Sequence, residues 1–316
     1  MATSALPAAG TWPALPLAGW RDTLATVHMW TQVVGKTRLA LAPMENHWWQ
    51  CTLYVTERGL TTTPMPSGER LLTVDFDFID HLLVMRTADG AVRSFPLGGL
   101  SVAQFHAQYT QAQHALGFAP RILARPVEVE EAIPFAEDET HATYDPEAVE
   151  RWWRALVQVD RVFKRFRGGF VGKQSPAHFF WGSFDLAVTR FSGQPAPRHP
   201  GGAPNCPDYV MVEAYSHACS SAGFWPGGGP VDDAAFYAYA YPEPEGYASH
   251  PFRPAAARYH AGAREFILPY EAVRTSADPD ATLLDFLQST YEAAATLGGW
   301  DRGALERRPS QESGAA

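Results

Sequence analysis

The sequence predicts an α+β protein made of two similar helix, antiparallel-sheet, helix units, an internal duplication folded into one compact body. Three observations predict it. Apolar residues at helical spacing open and close each half, aromatic and β-branched runs at strand spacing fill the middle of each, and short matches recur between the halves. With 316 residues, 46% hydrophobic and 19% charged, the chain has the composition of a folded protein with a sizeable core.

In the first unit, spanning 16–120, Leu24, Val27, Thr31 and Val34 mark one face of a helix from Trp20 to Val34, with Gly35 as its C-terminal cap. Extended runs follow at His47 to Arg58, Leu60 to Pro66, Leu71 to Phe78 and onward from Leu82, with Pro66-Ser67-Gly68 and Ala88-Asp89-Gly90 as hairpin turns. Ser101 and Gln104 form a capping box that opens a helix stopping at Gly117. A strand from Arg121 to Val129 and an acidic connector make up the link over 121–145. The second unit, 146–300, opens at Asp145-Pro146-Glu147, a capping carboxylate followed by proline in the first helical position. Gly168-Gly169 closes that helix. Strands are expected at Phe179 to Arg190, Ser220 to Trp225, Ala235 to Tyr241 and Glu265 to Tyr270, and a last helix from Asp278-Pro279 to Gly298. Residues 1–15 read as a disordered arm and 301–316 as a polar tail.

The matches between the halves are short and few in identical residues. Val34-Gly35-Lys36 recurs as Val171-Gly172-Lys173; Trp48, Leu53, Val55 and Thr56 recur as Trp181, Leu186, Val188 and Thr189; Val74 to Asp77 aligns with Phe236 to Tyr239. The second copy then carries an insertion at about 193–216, a kind of segment that more often holds binding residues than scaffold.

Twenty-five Lys and Arg against 34 Asp and Glu give a net charge of −9, which disfavours nucleic acid or an anionic membrane as partner. Three cysteines without a C-x-x-C pair fit a reduced compartment, and no apolar run is long enough to span a bilayer, so the expected location is cytoplasmic. A small-molecule ligand is the expected partner, and the oligomeric state stays open.

Strand alternation sorts each sheet into two faces. Asp75, Asp77, Ser183, Asp185 and Thr189 point away from the apolar side, and Tyr237, Tyr239 and Tyr241 alternate with small residues. That polar face is either solvated or the wall of a ligand cavity. Glu213 and His217, four apart, share a side in a helix or in a strand, and could hold a divalent metal or pair for proton transfer. His178 and Asp185 complete a candidate metal and catalytic set of His178, Asp185, Glu213 and His217. Trp181, Tyr237, Tyr239, Trp225 and Arg190 are the candidate ligand contacts. Phe224 and Trp225 lie in a glycine-rich run, Gly223 to Gly229, read as a loop with an aromatic flap. Lys36 and Lys173, each following a glycine at a helix end, read as dipole caps.

The runs PAHFFWGSFDLAVTRFSG (from Pro176), AYSHACSSAGFWPGGG (from Ala214), AAFYAYAYPEPEG (from Ala234) and NHWWQCTLYVTERGL (from Asn46) resemble a widespread bacterial family, domain of unknown function 5996, over Trp12 to about Arg307. The resemblance implies one common design and brings no activity, cofactor or catalytic residue with it. The leading functional expectation is a small-molecule enzyme, with a divalent metal as candidate cofactor; the alternatives are a non-catalytic ligand-binding or sensing protein and a protein-interaction scaffold.

Overall fold

The computed structural model describes residues 12–228 and 231–307; residues 1–11 of the expected arm, Gly229 of the glycine-rich run and the expected tail beyond 307 lie outside the described residues. Trp12 and Leu15, placed in the arm by sequence, are buried. Helix α1 (Arg21–Leu41) runs through Gly35 instead of ending there. The glycine answers to packing: the Trp181 indole lies so close that a Cβ at position 35 would stand 2.3 Å from the ring.

The first predicted strand begins late. Asn46–Cys51 is a 3-10 segment in which His47 and Trp48 both take left-handed backbone, φ 60° each, a conformation that bulky residues rarely adopt. An antiparallel sheet then follows from β1 (Tyr54–Val55), β2 (Gly59–Thr61), β3 (Met65–Ser67), β4 (Arg70–Asp77), β5 (Leu82–Thr87) and β6 (Val92–Pro96), in the order β1-β2-β4-β5-β6 with β3 paired to β4. Val74, Phe76 and Phe78 are buried, with Phe76 stacked on Phe105 of α2 (Val102–Ala115) and Phe105 in turn on Trp30 of α1. On the other side Asp75 pairs with Arg86, and Asp77 accepts from Arg58 Nε at 2.6 Å and from the backbone of Ile79 and Asp80. These two aspartates organise charge and a turn. Helix α2 starts at the predicted capping box, with both of its reciprocal bonds formed.

No strand forms at Arg121 to Val129. Pro126 removes a ladder donor, and the Gln32 side-chain amide on α1 takes up the Val127 backbone instead, accepting from its N–H at 2.9 Å and donating to its carbonyl at 2.8 Å.

The second half opens with α3 (Pro146–Gly168), capped by Asp145 as expected. What the sequence shows as one strand from Phe179 to Arg190 is a hairpin: β7 (His178–Phe180), a turn through Trp181 to Phe184, and β8 (Asp185–Pro195). The rest comprises α4 (Asp208–Ala214), β9 (His217–Trp225), β10 (Ala235–Tyr241), β11 (Arg258–His260), β12 (Glu265–Pro269), α5 (Tyr270–Arg274), α6 (Pro279–Leu297) and α7 (Arg302–Leu305). This sheet is antiparallel in the order β11-β12-β10-β9-β8-β7. Phe224 and Trp225 lie in β9, not in a flap. Residues 302–305 are helical and Glu306 bridges to Phe170, so this end of the expected tail is folded onto the body.

The two sheets meet at one place. Leu53 and Phe179 exchange both backbone hydrogen bonds at 2.9 Å, while Phe179 pairs with Leu186 on its other side. β7 therefore links the first sheet to the second. Phe179, Leu186, Val188, Phe224 and Phe236 bury one face of the second sheet in the core, where α3 and α6 pack on it. By strand alternation Asp185, Ala187, Thr189, Ser221, Gly223, Tyr237 and Tyr239 occupy the other. Of the matches between halves, Val34-Gly35-Lys36 lies inside α1 whereas Val171-Gly172-Lys173 follows the end of α3, so that pair occupies unlike positions.

Replacing Gly35 with alanine should lower stability by about 1 to 3 kcal/mol, the cost of overpacking. That outweighs the ~1 kcal/mol that alanine gains in a helix interior, and chemical denaturation reads the sign directly.

Candidate functional site

A cavity of about 190 Å³ lies over the polar face of the second sheet. Its floor is Asp185, Ala187, Thr189, Ser221, Tyr237 and Tyr239; its roof is Trp48 and Trp49 from the left-handed turn and Val210, Met211, Ala214 and Tyr215 from α4 and its end; Glu128 and Phe180 stand at one side. The inserted segment thus forms the lid. β8 bends at an irregularity between Phe191 and Pro195, and the chain returns over the sheet as α4. Three groups of hydrogen bonds hold it down. The His47 N–H donates to Glu213 Oε1 at 3.0 Å, Trp48 Nε1 donates to the Val210 carbonyl at 3.0 Å, and the Glu128 N–H and Asn205 side chain bond across to Pro204 and Val129, each at 2.7 Å. The unusual backbone at His47 and Trp48 is what aims both groups at α4.

Asp185 is the centre of the floor. Its carboxylate, 3% exposed, accepts from Ser183 Oγ and from the Tyr237 hydroxyl. Tyr237 sits two strands away, with Gly223 of β9 between them. A Cβ at Gly223 would lie 2.3 Å from the Tyr237 ring, so only glycine lets the phenol cross β9 and reach the acid. Trp225 stacks on the same ring at 4.1 Å and holds it flat. Burial pushes the Asp185 carboxyl up to about 6, against the lowering effect of its two hydroxyl donors.

Glu128 faces the same space. Its carboxylate packs against the turn preceding Asp185, 2.2 Å from where a Cβ on Gly182 would stand, and its backbone is left-handed, φ 59°. Glu128 is an exposed residue, and its carboxylate opens on the crevice. Desolvation, and then the Asp185 charge, raise it to about 7, with Lys36 opposing. A third acid, Glu265, lies on β12, is raised by burial and by Asp185 to about 8, and leaves its buried Oε2 without a hydrogen bond. Tyr215 and Tyr239 join hydroxyls at 2.7 Å along the floor's far side. The Cys51 and Cys219 thiols are pushed by burial to about 12, so both stay protonated and neither is a thiolate nucleophile.

The expected metal set does not converge. Glu213 is in α4 and His217 opens β9, because the chain turns at Tyr215 and Ser216; spacing of four no longer places them on one face. The Glu213 carboxylate is spent on the His47 backbone, and His217 meets the His47 ring edge-on at 5.8 Å. His47 itself accepts from Lys173 Nζ at 2.7 Å and donates to the Ala214 carbonyl, at the mouth of the cavity. Lys173 is therefore held by His47 and the Trp49 and Phe191 rings and is not a helix cap. His178 is buried at the junction of the sheets, beside Tyr54 and Trp49; desolvation, then the Arg38 charge, lowers it to about 3, so it is neutral. Among the described residues no group of three or more His, Cys, Asp and Glu is placed to hold a metal ion.

Of the expected ligand contacts, Tyr237 and Tyr239 line the cavity, Trp225 backs Tyr237, and Trp181 lines an adjoining chamber while donating to the Cys51 carbonyl at 2.6 Å. Arg190 is a correction. It points to the opposite face, buried over the rings of Phe166, Phe170 and Tyr291, and donates to the Phe166 carbonyl. Glu128, Tyr215 and His47 carry no mark in the sequence that separates them from linker or strand residues.

The fold and this site define a two-sheet α+β protein with a roofed, carboxylate-bearing cavity. The chain belongs to the Family of unknown function (DUF5996), which matches residues 12–307. No curated protein and no solved structure matches it. No helix among the described residues is long and apolar enough to cross a membrane.

All three acids have folded-state pKa values above their unfolded ones, so the folded state binds more protons between them. Their contribution to stability is fully present below about pH 4 and is lost as pH rises through about 6, 7 and 8. Melting temperatures taken from pH 5 to 9 should fall less in Asp185→Asn than in the wild type. A Tyr237→Phe variant should move the Asp185 carboxyl further up, visible in a ¹³C titration, and Gly223→Ala should do the same by displacing the ring.

Proposed function

We propose that this protein is an enzyme that transfers protons on a small polar molecule held between Asp185 and Glu128. One observation carries the reading: two carboxyls, Asp185 buried and Glu128 at the open side, are both raised toward neutrality and line one cavity. Asp185, stabilised as an anion by the Ser183 and Tyr237 hydroxyls, is the base; Glu128, with no such donors and a higher pKa, is the acid. Tyr237 orients the base, and the aromatic roof of Trp48 and Trp49 excludes water from the reacting atoms. Coordination of a metal is not needed for any of these steps.

The reading places the enzyme in the cytoplasm, in keeping with three free cysteines. It also takes the two sheets as products of a duplication: β1-β2-β4-β5 and β8-β9-β10-β12 run in the same antiparallel order, with only the second copy carrying the lid.

The test is a turnover screen by mass spectrometry against a metabolite extract. The wild type should consume a species that Asp185→Asn and Glu128→Gln consume roughly 10²- to 10⁴-fold more slowly, with an optimum between about pH 6 and 7. Equal turnover by wild type and both variants would refute the assignment.

A further inference from the structure

A second chamber of about 230 Å³ adjoins the first and shares Trp48, Cys51, Glu128, Phe180 and Val210 with it. Its own wall is Leu39, Leu123, Val127, Trp181, Pro207 and Tyr209, nearly all apolar, with Leu39, Leu123 and Tyr209 exposed at its open side. One cation enters it, beside the shared Glu128. Lys36, in the middle of α1, is 5% exposed, and its Nζ lies 5.7 Å from the centre of the Trp181 ring. Among the described residues it has no hydrogen-bond or ion-pair partner. The ionisable groups that act on it are Cys206 and Glu128. Cys206 is pushed up to about 11 and Cys51 to about 12, so both are uncharged, and Glu128 is held near neutrality.

An ammonium largely stripped of water and without an ion-pair partner is costly, and a lysine extending from mid-helix toward an apolar chamber has no cap role to explain it. We propose that this chamber binds a small organic carboxylate with an apolar body, its carboxylate on the Lys36 ammonium and its body against Trp181, Leu39 and Val127. The chemistry on both sides fits. One point charge matches one carboxylate, and the rest of the wall offers burial of apolar surface to the remainder of the molecule. Desolvation lowers Lys36 to about 8, so it is charged at neutral pH, and the bound anion replaces the lost hydration. This site stands whether or not Asp185 and Glu128 are catalytic.

Phenylacetate and octanoate are the probes, with phenylacetamide as the uncharged control, measured by isothermal titration calorimetry on the full chain at pH 6.5. The carboxylates should bind the wild type and Asp185→Asn alike, at least tenfold more tightly than the amide, and weaken above about pH 8. Lys36→Met, which keeps the apolar stem, should lose at least tenfold. It should also melt higher than the wild type at neutral pH, since the unpaired buried charge is gone; circular dichroism reports this and shows that the variant is folded. Equal binding of amide and carboxylate, undiminished binding to Lys36→Met, or no binding of either carboxylate to the wild type would overturn the proposal. Loss of turnover in Asp185→Asn with carboxylate binding intact separates this site from the proton-transfer reading.

Discussion

The bond pair between Leu53 and Phe179 sets the geometry of the candidate site. Phe179 belongs to a three-residue strand that pairs with β8 along its length, and its other edge is satisfied by Leu53, so this one residue is bonded to both halves. That junction brings the turn at Asn46–Cys51, which immediately precedes Leu53, over the polar face of the other sheet. It also fixes the hairpin turn through Trp181 and Gly182, against which α1 and Glu128 pack. The site is built at a seam between two sheets, where ligand pockets commonly arise.

The second constraint is the glycine at 223. A sheet normally separates residues two strands apart by an intervening side chain. Here that side chain is missing, and the Tyr237 ring lies in its place with its hydroxyl on Asp185. The contact costs the protein the packing of one side chain and gives a carboxylate that remains partly ionised although it is almost fully buried. Trp225, stacked behind, covers the other side of the Tyr237 ring.

Much of the fold was legible because it rests on local signals. The capping box at Ser101, the Asp145-Pro146 and Asp278-Pro279 starts, and the alternation in β4, β8 and β10 are each written within a few residues, and they delimit helices and faces with small errors. Tyr237, Tyr239 and Asp185 were found on the cavity side by alternation alone. What failed had a common cause: the deciding interaction was distant in sequence. Gly35 looks like a cap until Trp181 is seen to rest on it, the segment around Glu128 looks like a strand until the Gln32 amide takes its backbone, and Arg190 is polar by composition but buried among rings supplied by α3 and α6. The chain reversal at Tyr215 undid the pairing of Glu213 with His217, since a spacing rule holds only within one element.

The left-handed turn at His47 and Trp48 has a consequence for how the protein becomes competent. The lid of the cavity comes from the second half of the chain, but its fastenings come from the first, so no early, locally folded piece carries a working chamber. Contacts of this sequence separation form late, after most of the chain entropy has been given up. The chamber is thus complete only when both halves are in place, its roof drawn from α4 and from the turn at His47 and Trp48 together.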